Sequence, residues 1–193
     1  MASSFFEILT SSTGLVAASE MGDKTQLLAF SLAARFKRPL QVLAGILVAT
    51  VLNHALAAGV GVSVAAWVIP RWSSDWLRIG LALLFFIFAL WTLKPDTLDE
   101  DEANRSSRWG AFITTCILFF LAEMGDKTQL ATVALGARFQ SLLAVTLGTT
   151  LGMVLADGLA VFAGQNFSHR LPMHWIRRGA AVLFALFGIS LLL

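Results

Sequence analysis

Two ten-residue strings, Ser-Glu-Met-Gly-Asp-Lys-Thr-Gln-Leu-Leu from Ser19 and Ala-Glu-Met-Gly-Asp-Lys-Thr-Gln-Leu-Ala from Ala122, agree at eight of ten positions and start 103 residues apart. Each sits inside a long apolar stretch. Each puts two carboxylates and a lysine where a membrane helix would ordinarily carry no charge. Charge at such depth is costly, and intramembrane acids mark functional sites by default. The same cost, met twice at matching places, predicts one ion site with two related halves.

The rest of the 193 residues fits that setting: 57% are hydrophobic, 13% are charged, and the mean hydropathy is +0.76. This is the composition of a membrane protein rather than of a soluble domain. A span needs roughly 20 mostly apolar residues. The apolar runs allow six: Phe5 to Ala34, Leu40 to Trp67, Trp76 to Leu93, Trp109 to Ala137, Leu142 to Gly164 and Trp175 to Leu193. No basic patch interleaved with aromatics is present, so nucleic acid is not an expected partner. Cys116 is the single cysteine, so no intrachain disulfide can form, and it reads as a small apolar residue of the fourth span. The N-terminus lacks the basic region of a signal peptide, so the first apolar run is expected to be retained as a span.

Lysine and arginine counts in the connections set the expected orientation. The links between spans 1 and 2, 3 and 4, and 5 and 6 carry nine such residues: Arg35, Lys37, Arg38, Lys94, Arg105, Arg108, Arg170, Arg177 and Arg178. The opposite side carries three, Arg71, Arg78 and Arg138. The richer side is expected to be cytoplasmic, with both termini extracytoplasmic. The tryptophans Trp67, Trp72, Trp76, Trp91, Trp109 and Trp175 all fall at or close to span ends, where indole rings prefer to lie.

The fold expected is an all-α integral membrane protein of six transmembrane helices, built as two inverted three-helix repeats. Residues 1–93 form the first repeat, 94–108 an acidic cytoplasmic linker, and 109–193 the second repeat. Beyond the motif, Arg35-Phe36 matches Arg138-Phe139, and Gly45 matches Gly148, at the same offset. Three spans per repeat make the second copy enter from the opposite face, as in many secondary transporters. At about 1.5 Å per residue, Glu20 and Glu123 fall roughly 20 Å into a ~30 Å core, near its middle. The linker run from Lys94 to Glu102 reads as a solvated connection; its acids, beside the cytoplasmic entrance, could alternatively collect cations.

Within each motif the glutamate and aspartate stand at i and i+3, hence on one helix face. Gln26 and Gln129 extend that face by a neutral oxygen. The candidate metal ligands are therefore Glu20, Asp23, Gln26, Glu123, Asp126 and Gln129. An oxygen-only set suits calcium, magnesium or manganese, and the thioethers of Met21 and Met124 could soften it toward manganese. Four acids and two lysines, Lys24 and Lys127, leave a charge that one divalent cation neutralises. When no ion is bound, protons are the obvious substitute, since burial and mutual repulsion favour the neutral carboxyl. Gly22 and Gly125 permit close helix approach or local unwinding, while Thr25 and Thr128 could satisfy freed backbone groups or add a ligand. A purely structural alternative treats Glu20–Lys24 and Glu123–Lys127 as i,i+4 ion pairs holding helices together. It leaves Asp23 and Asp126 unassigned, and Ser, Thr and Gly would make simpler glue.

Asn53 and His54 lie in span 2, and Asp157 lies in span 5 opposite His54 in the repeat alignment. Asp157 reads as a proton carrier, an extra ligand or a helix–helix hydrogen bond. His54 reads as a packed, hydrogen-bonded histidine, with a relay role as the alternative. His169 and His174 read as solvated loop residues. Phe85, Phe86, Phe88, Phe184 and Phe187 read as lipid-facing or packing surface.

Two copies of Glu-x-Gly-Asp-(Lys/Arg)-(Thr/Ser), each in the first span of a three-span repeat with an acidic central loop, resemble a cation/proton exchanger family. It includes bacterial manganese exporters of the MneA type and Golgi and chloroplast cation transporters. The resemblance covers essentially the whole chain. It implies export of Mn²⁺, with Ca²⁺ in some members, in exchange for protons. The family's motif residues fall on Glu20, Gly22, Asp23, Lys24 and Thr25, and on Glu123, Gly125, Asp126, Lys127 and Thr128. The six-span size resembles the bacterial form and implies the cell inner membrane. No cofactor is expected, the cation being cargo. Two rivals remain at this stage. A carboxylate ring could line a passive divalent-cation channel. A membrane-embedded di-metal enzyme would want Glu-x-x-His pairs, which neither motif supplies.

Overall fold

A computed structural model describes residues 3–94, 109–163 and 172–193. Most of the acidic linker, with Arg105 and Arg108, lies outside the described residues, as do Gly164, His169 and Arg170. The described residues form eight α-helices and no strands: α1 (Phe5–Glu20), α2 (Lys24–Phe36), α3 (Pro39–Val68), α4 (Ser74–Thr92), α5 (Ala111–Glu123), α6 (Lys127–Phe139), α7 (Leu142–Ala163) and α8 (Met173–Leu192). Four of them, α3, α4, α7 and α8, are long and apolar enough to cross a membrane, and α5 is a shorter apolar helix.

The first and fourth expected spans are not continuous. Each is two helices that meet at the motif, because Gly22 and Gly125 take φ values of 82° and 78°. That left-handed conformation ends a helix and is open to glycine at little cost. The glutamate–aspartate pair therefore does not share one helix face. Glu20 and Glu123 end the first half-helices, and Asp23 and Asp126 are the N-cap residues of the second.

Local signals explain the other boundaries. Ser4 and Glu7 form a reciprocal capping box at the start of α1, with bonds of 2.7 and 3.2 Å. α2 ends on Lys37 at φ 54°, whose N–H donates to Ala33 O, and Pro39 then opens α3. The corner after α6 repeats this: Gln140 has φ 50° and donates to Gly136 O.

The two halves interleave. α1 and α2 pack chiefly on α7, α5 and α6 pack on α3, and α4 pairs with α8. The contacts exchange under the 103-residue offset. A Cβ at Gly148 would lie 2.7 Å from Leu9 O and 2.8 Å from Ser12 Cβ. One at Gly45 would lie 2.8 Å from Phe112 O and 2.7 Å from Thr115 Cβ, the equivalent residues of the other half. Phe85, Phe88 and Phe184 are fully buried between α4 and α8, so they pack the core rather than face outward. All six tryptophans are exposed. His174 stands in the first turn of α8 rather than in a loop, exposed and 5.2 Å from the Trp175 ring. Cys116 is half-buried on α5.

Candidate metal centre

Both helix breaks are stitched by the same set of bonds. Gly22 N–H donates to Gln26 Oε1 at 2.9 Å, and Gly125 N–H donates to Gln129 Oε1 at 2.7 Å. The amide oxygens expected as ligands are thus engaged in holding the breaks. The amide nitrogens reach across to the long helix of the other half. Gln26 Nε2 donates to Ala156 O at 2.9 Å, and Gln129 Nε2 donates to Asn53 Oδ1. Residues 53 and 156 are again equivalent positions. Each amide nitrogen also lies near a motif thioether, Met21 Sδ at 3.7 Å and Met124 Sδ at 3.8 Å.

The threonine hydroxyls bond the motif glutamates. Thr25 Oγ1 donates to Glu20 Oε2 at 2.6 Å, and Thr128 Oγ1 donates to Glu123 Oε2 at 2.9 Å. Thr128 also stands 3.4 Å from Asp126 Oδ2. One oxygen of each glutamate is held in this way. The other, Oε1, is buried and has no hydrogen-bond partner among the described residues.

Neither aspartate side chain caps its helix. Asp23 Oδ1 accepts from Lys127 Nζ, and Asp126 Oδ1 lies 3.5 Å from Lys24 Nζ. These pairs cross between the halves, so the i,i+4 pairs Glu20–Lys24 and Glu123–Lys127 are replaced by a crosswise exchange. The cause is the break itself, which removes the continuous helix that i,i+4 geometry presumes.

Glu20, Asp23 and Asp126 each turn a carboxylate oxygen toward a common point, the three lying within 4.8 Å of one another and all buried. Glu123 is equally buried but lies outside this trio. The C-terminal ends of α1 and α5 and the N-terminal ends of α2 and α6 all lie at the breaks, so the helix dipoles oppose one another there and the attraction for a cation comes from the carboxylates. Three converging hard oxygens, with a fourth carboxylate nearby, can hold a divalent ion.

Two further buried groups flank the motifs. Asp157 on α7 is fully buried, and neither oxygen has a hydrogen-bond partner among the described residues. No helix–helix hydrogen bond from Asp157 is found among the described residues. His54 is also fully buried, and neither of its nitrogens is bonded among the described residues, so it is packed but not the hydrogen-bonded histidine expected. The Asn53–Gln129 bond and the crosswise lysines escaped the sequence reading; the shared offset of residues 53 and 156 was the available signal for the first.

A family model described as "Divalent cation/proton antiporter GDT1" matches residues 8–100 and 111–193. A Vibrio cholerae serotype O1 protein named "Putative manganese exporter" is 44% identical over 184 residues, covering 95% of this chain and 89% of the relative. A protein of Arabidopsis thaliana named "GDT1-like protein 5" is 29% identical over 228 residues, covering 98% of this chain and 97% of its own length. Its counterpart of the same name from Oryza sativa subsp. japonica is also 29% identical, over 98% of this chain and 95% of the relative. No solved structure matches.

Proposed function

The chain belongs to the GDT1 family of divalent cation/proton antiporters, and from that premise we propose that it exports Mn²⁺ from the cytoplasm in exchange for protons. Ca²⁺ is the second ion the same oxygen set would accept. The observation that carries the reading is the convergence of Glu20, Asp23 and Asp126 from two broken helices of opposite halves within 4.8 Å. Manganese is favoured by the name of the Vibrio cholerae relative and by the two thioethers beside the motif glutamines.

In this reading α1 with α2, and α5 with α6, each make one interrupted span. Together with α3, α4, α7 and α8 they give six, as two inverted repeats over residues 1–93 and 109–193. The exchange of contacts between Gly45 and Gly148 supports the pseudo-two-fold axis. The lysine and arginine distribution supports extracytoplasmic termini in a bacterial inner membrane.

Glu20, Asp23, Glu123 and Asp126 release protons as they take the ion, with Gln26 and Gln129 completing the set when their glycine bonds loosen. The halves then rock, and protons on the far side compete the ion off. The test is reconstitution in vesicles, with Mn²⁺ and Ca²⁺ flux followed with and without an imposed pH gradient. Flux that follows the gradient, prefers Mn²⁺ and disappears in Asp126→Asn at equal expression is the expected result. Flux blind to pH would instead describe a passive channel.

A further inference from the structure

Lys127 bonds Asp23 and Lys24 stands 3.5 Å from Asp126, so each motif lysine serves the aspartate of the opposite half. Both aspartates belong to the trio of converging carboxylates. An ammonium is a compact point charge with three donors. Each lysine holds one oxygen of a carboxylate that a divalent ion would coordinate at about 2–2.6 Å. Ammonium and ion on one carboxylate repel each other, and divide its negative charge, in a low-dielectric site.

We infer that Lys127 and Lys24 are tethered counter-cations that compete with the divalent ion for Asp23 and Asp126, and so set how tightly the ion is held. This rests on the carboxylate site of the proposed function and adds a step to it: the ion binds fully only when Lys127 leaves Asp23. The two pairs are unequal in a way that orders the steps. The Lys127 side chain is 4% exposed and that of Asp23 is 0% exposed, whereas Lys24 is 26% exposed and Asp126 8%. The ion therefore enters beside the looser Lys24–Asp126 pair and displaces Lys127 last. Because the halves carry the same residues, the two pairs trade places in the opposite-facing state. A lysine returning to its aspartate then helps expel the ion, which a site of bare carboxylates would hold too tightly to release.

The experiment is a Mn²⁺ titration of the purified full chain in detergent, with free Mn²⁺ read by electron paramagnetic resonance. It compares wild type, Lys127→Met, Lys24→Met and Lys127→Arg. A competing lysine predicts that Lys127→Met binds Mn²⁺ about tenfold or more tightly, and that its transport slows because release is impaired. Lys24→Met moves the same way by less, and Lys127→Arg stays near wild type in affinity. A lysine that merely ties the halves together predicts unchanged or weaker binding in a variant that keeps its fold, and that result overturns the inference. Should Lys127→Met fail to fold, the sign of the Lys24→Met change decides. Wild-type protein that binds no Mn²⁺ brings down the ion site and this inference together, whereas Mn²⁺ binding indifferent to both lysines removes the inference alone.

Discussion

Thr25 Oγ1 donates a 2.6 Å hydrogen bond to Glu20 Oε2, joining the second residue of α2 to the last residue of α1 across the helix break. Thr128 and Glu123 make the same bond at 2.9 Å. Each glutamate thus has one oxygen fixed and leaves Oε1 for another partner. A bond to a carboxylate contributes about 1.5–3 kcal/mol, and its loss frees the side chain proposed to meet the ion. Thr25→Val is expected to weaken Mn²⁺ binding by about tenfold or more, while Thr25→Ser retains near wild-type affinity. Titration of the purified variants reads the difference, and equal affinity for Val and Ser would show that the hydroxyl has no part in positioning Glu20.

The break itself can be tested at Gly22, where φ is 82°. An L-residue in the left-handed region costs roughly 1–2 kcal/mol. Gly22→Ala therefore strains the turn that aims Glu20 and Asp23 at one point. The expected outcome is a chain that still folds, with a lower melting temperature and Mn²⁺ transport reduced at least about tenfold, since small displacements of ligands are amplified in a preorganised site. Gly125→Ala should behave in the same way, because its φ of 78° repeats the geometry. Full transport by either variant would mean that the left-handed turn is not needed to build the site.

The motif was legible in the sequence because a charged string inside an apolar run has few explanations, and because it occurs twice at a fixed offset. The same offset carries the Gly45–Gly148 relationship and the matching corners at Lys37 and Gln140. Side-chain partners were less legible. Counting i+3 and i+4 assumes an unbroken helix, and the left-handed turns at Gly22 and Gly125 cancel that assumption where the acids lie. Lys24 and Lys127 consequently turn to the opposite half, which no local spacing reveals. The glutamine oxygens read as ligands because they extend the carboxylate face; the unwound glycine N–H groups, each needing an acceptor, also bond them. Apolarity alone could not separate packing phenylalanines from lipid-facing ones, since both satisfy the same pattern.

The interleaving of the halves makes a paired prediction. Alanine at Gly45 or at Gly148 places a methyl 2.7–2.8 Å from backbone oxygen and side-chain carbon of the opposing helix. Overpacking of this kind costs typically ~1–3 kcal/mol. Gly45→Ala and Gly148→Ala should lower the melting temperature in detergent by similar amounts, because the two contacts are equivalents. Gly14→Ala is the control, for a methyl there meets nothing within 4 Å and alanine is the better helix former. It should cause no loss. Unequal effects at 45 and 148 would show that the two halves do not bear the packing load alike.

Asp157 is the group whose replacement separates charge from structure most cleanly. It is fully buried, and neither oxygen has a hydrogen-bond partner among the described residues, so Asn at this position removes no bond seen there. An amide of the same shape also avoids the cost of an unpaired buried charge. Asp157→Asn should therefore melt no lower than wild type. Asn cannot ionise, however, so it can neither carry a proton nor attract a divalent ion approaching the trio as a carboxylate would. The expected outcome is Mn²⁺ transport reduced by about tenfold or more at equal expression, with the fold intact. A variant that transports normally would make Asp157 a tolerated bystander. One that fails to fold would assign it a packing role that the absence of hydrogen bonds does not explain.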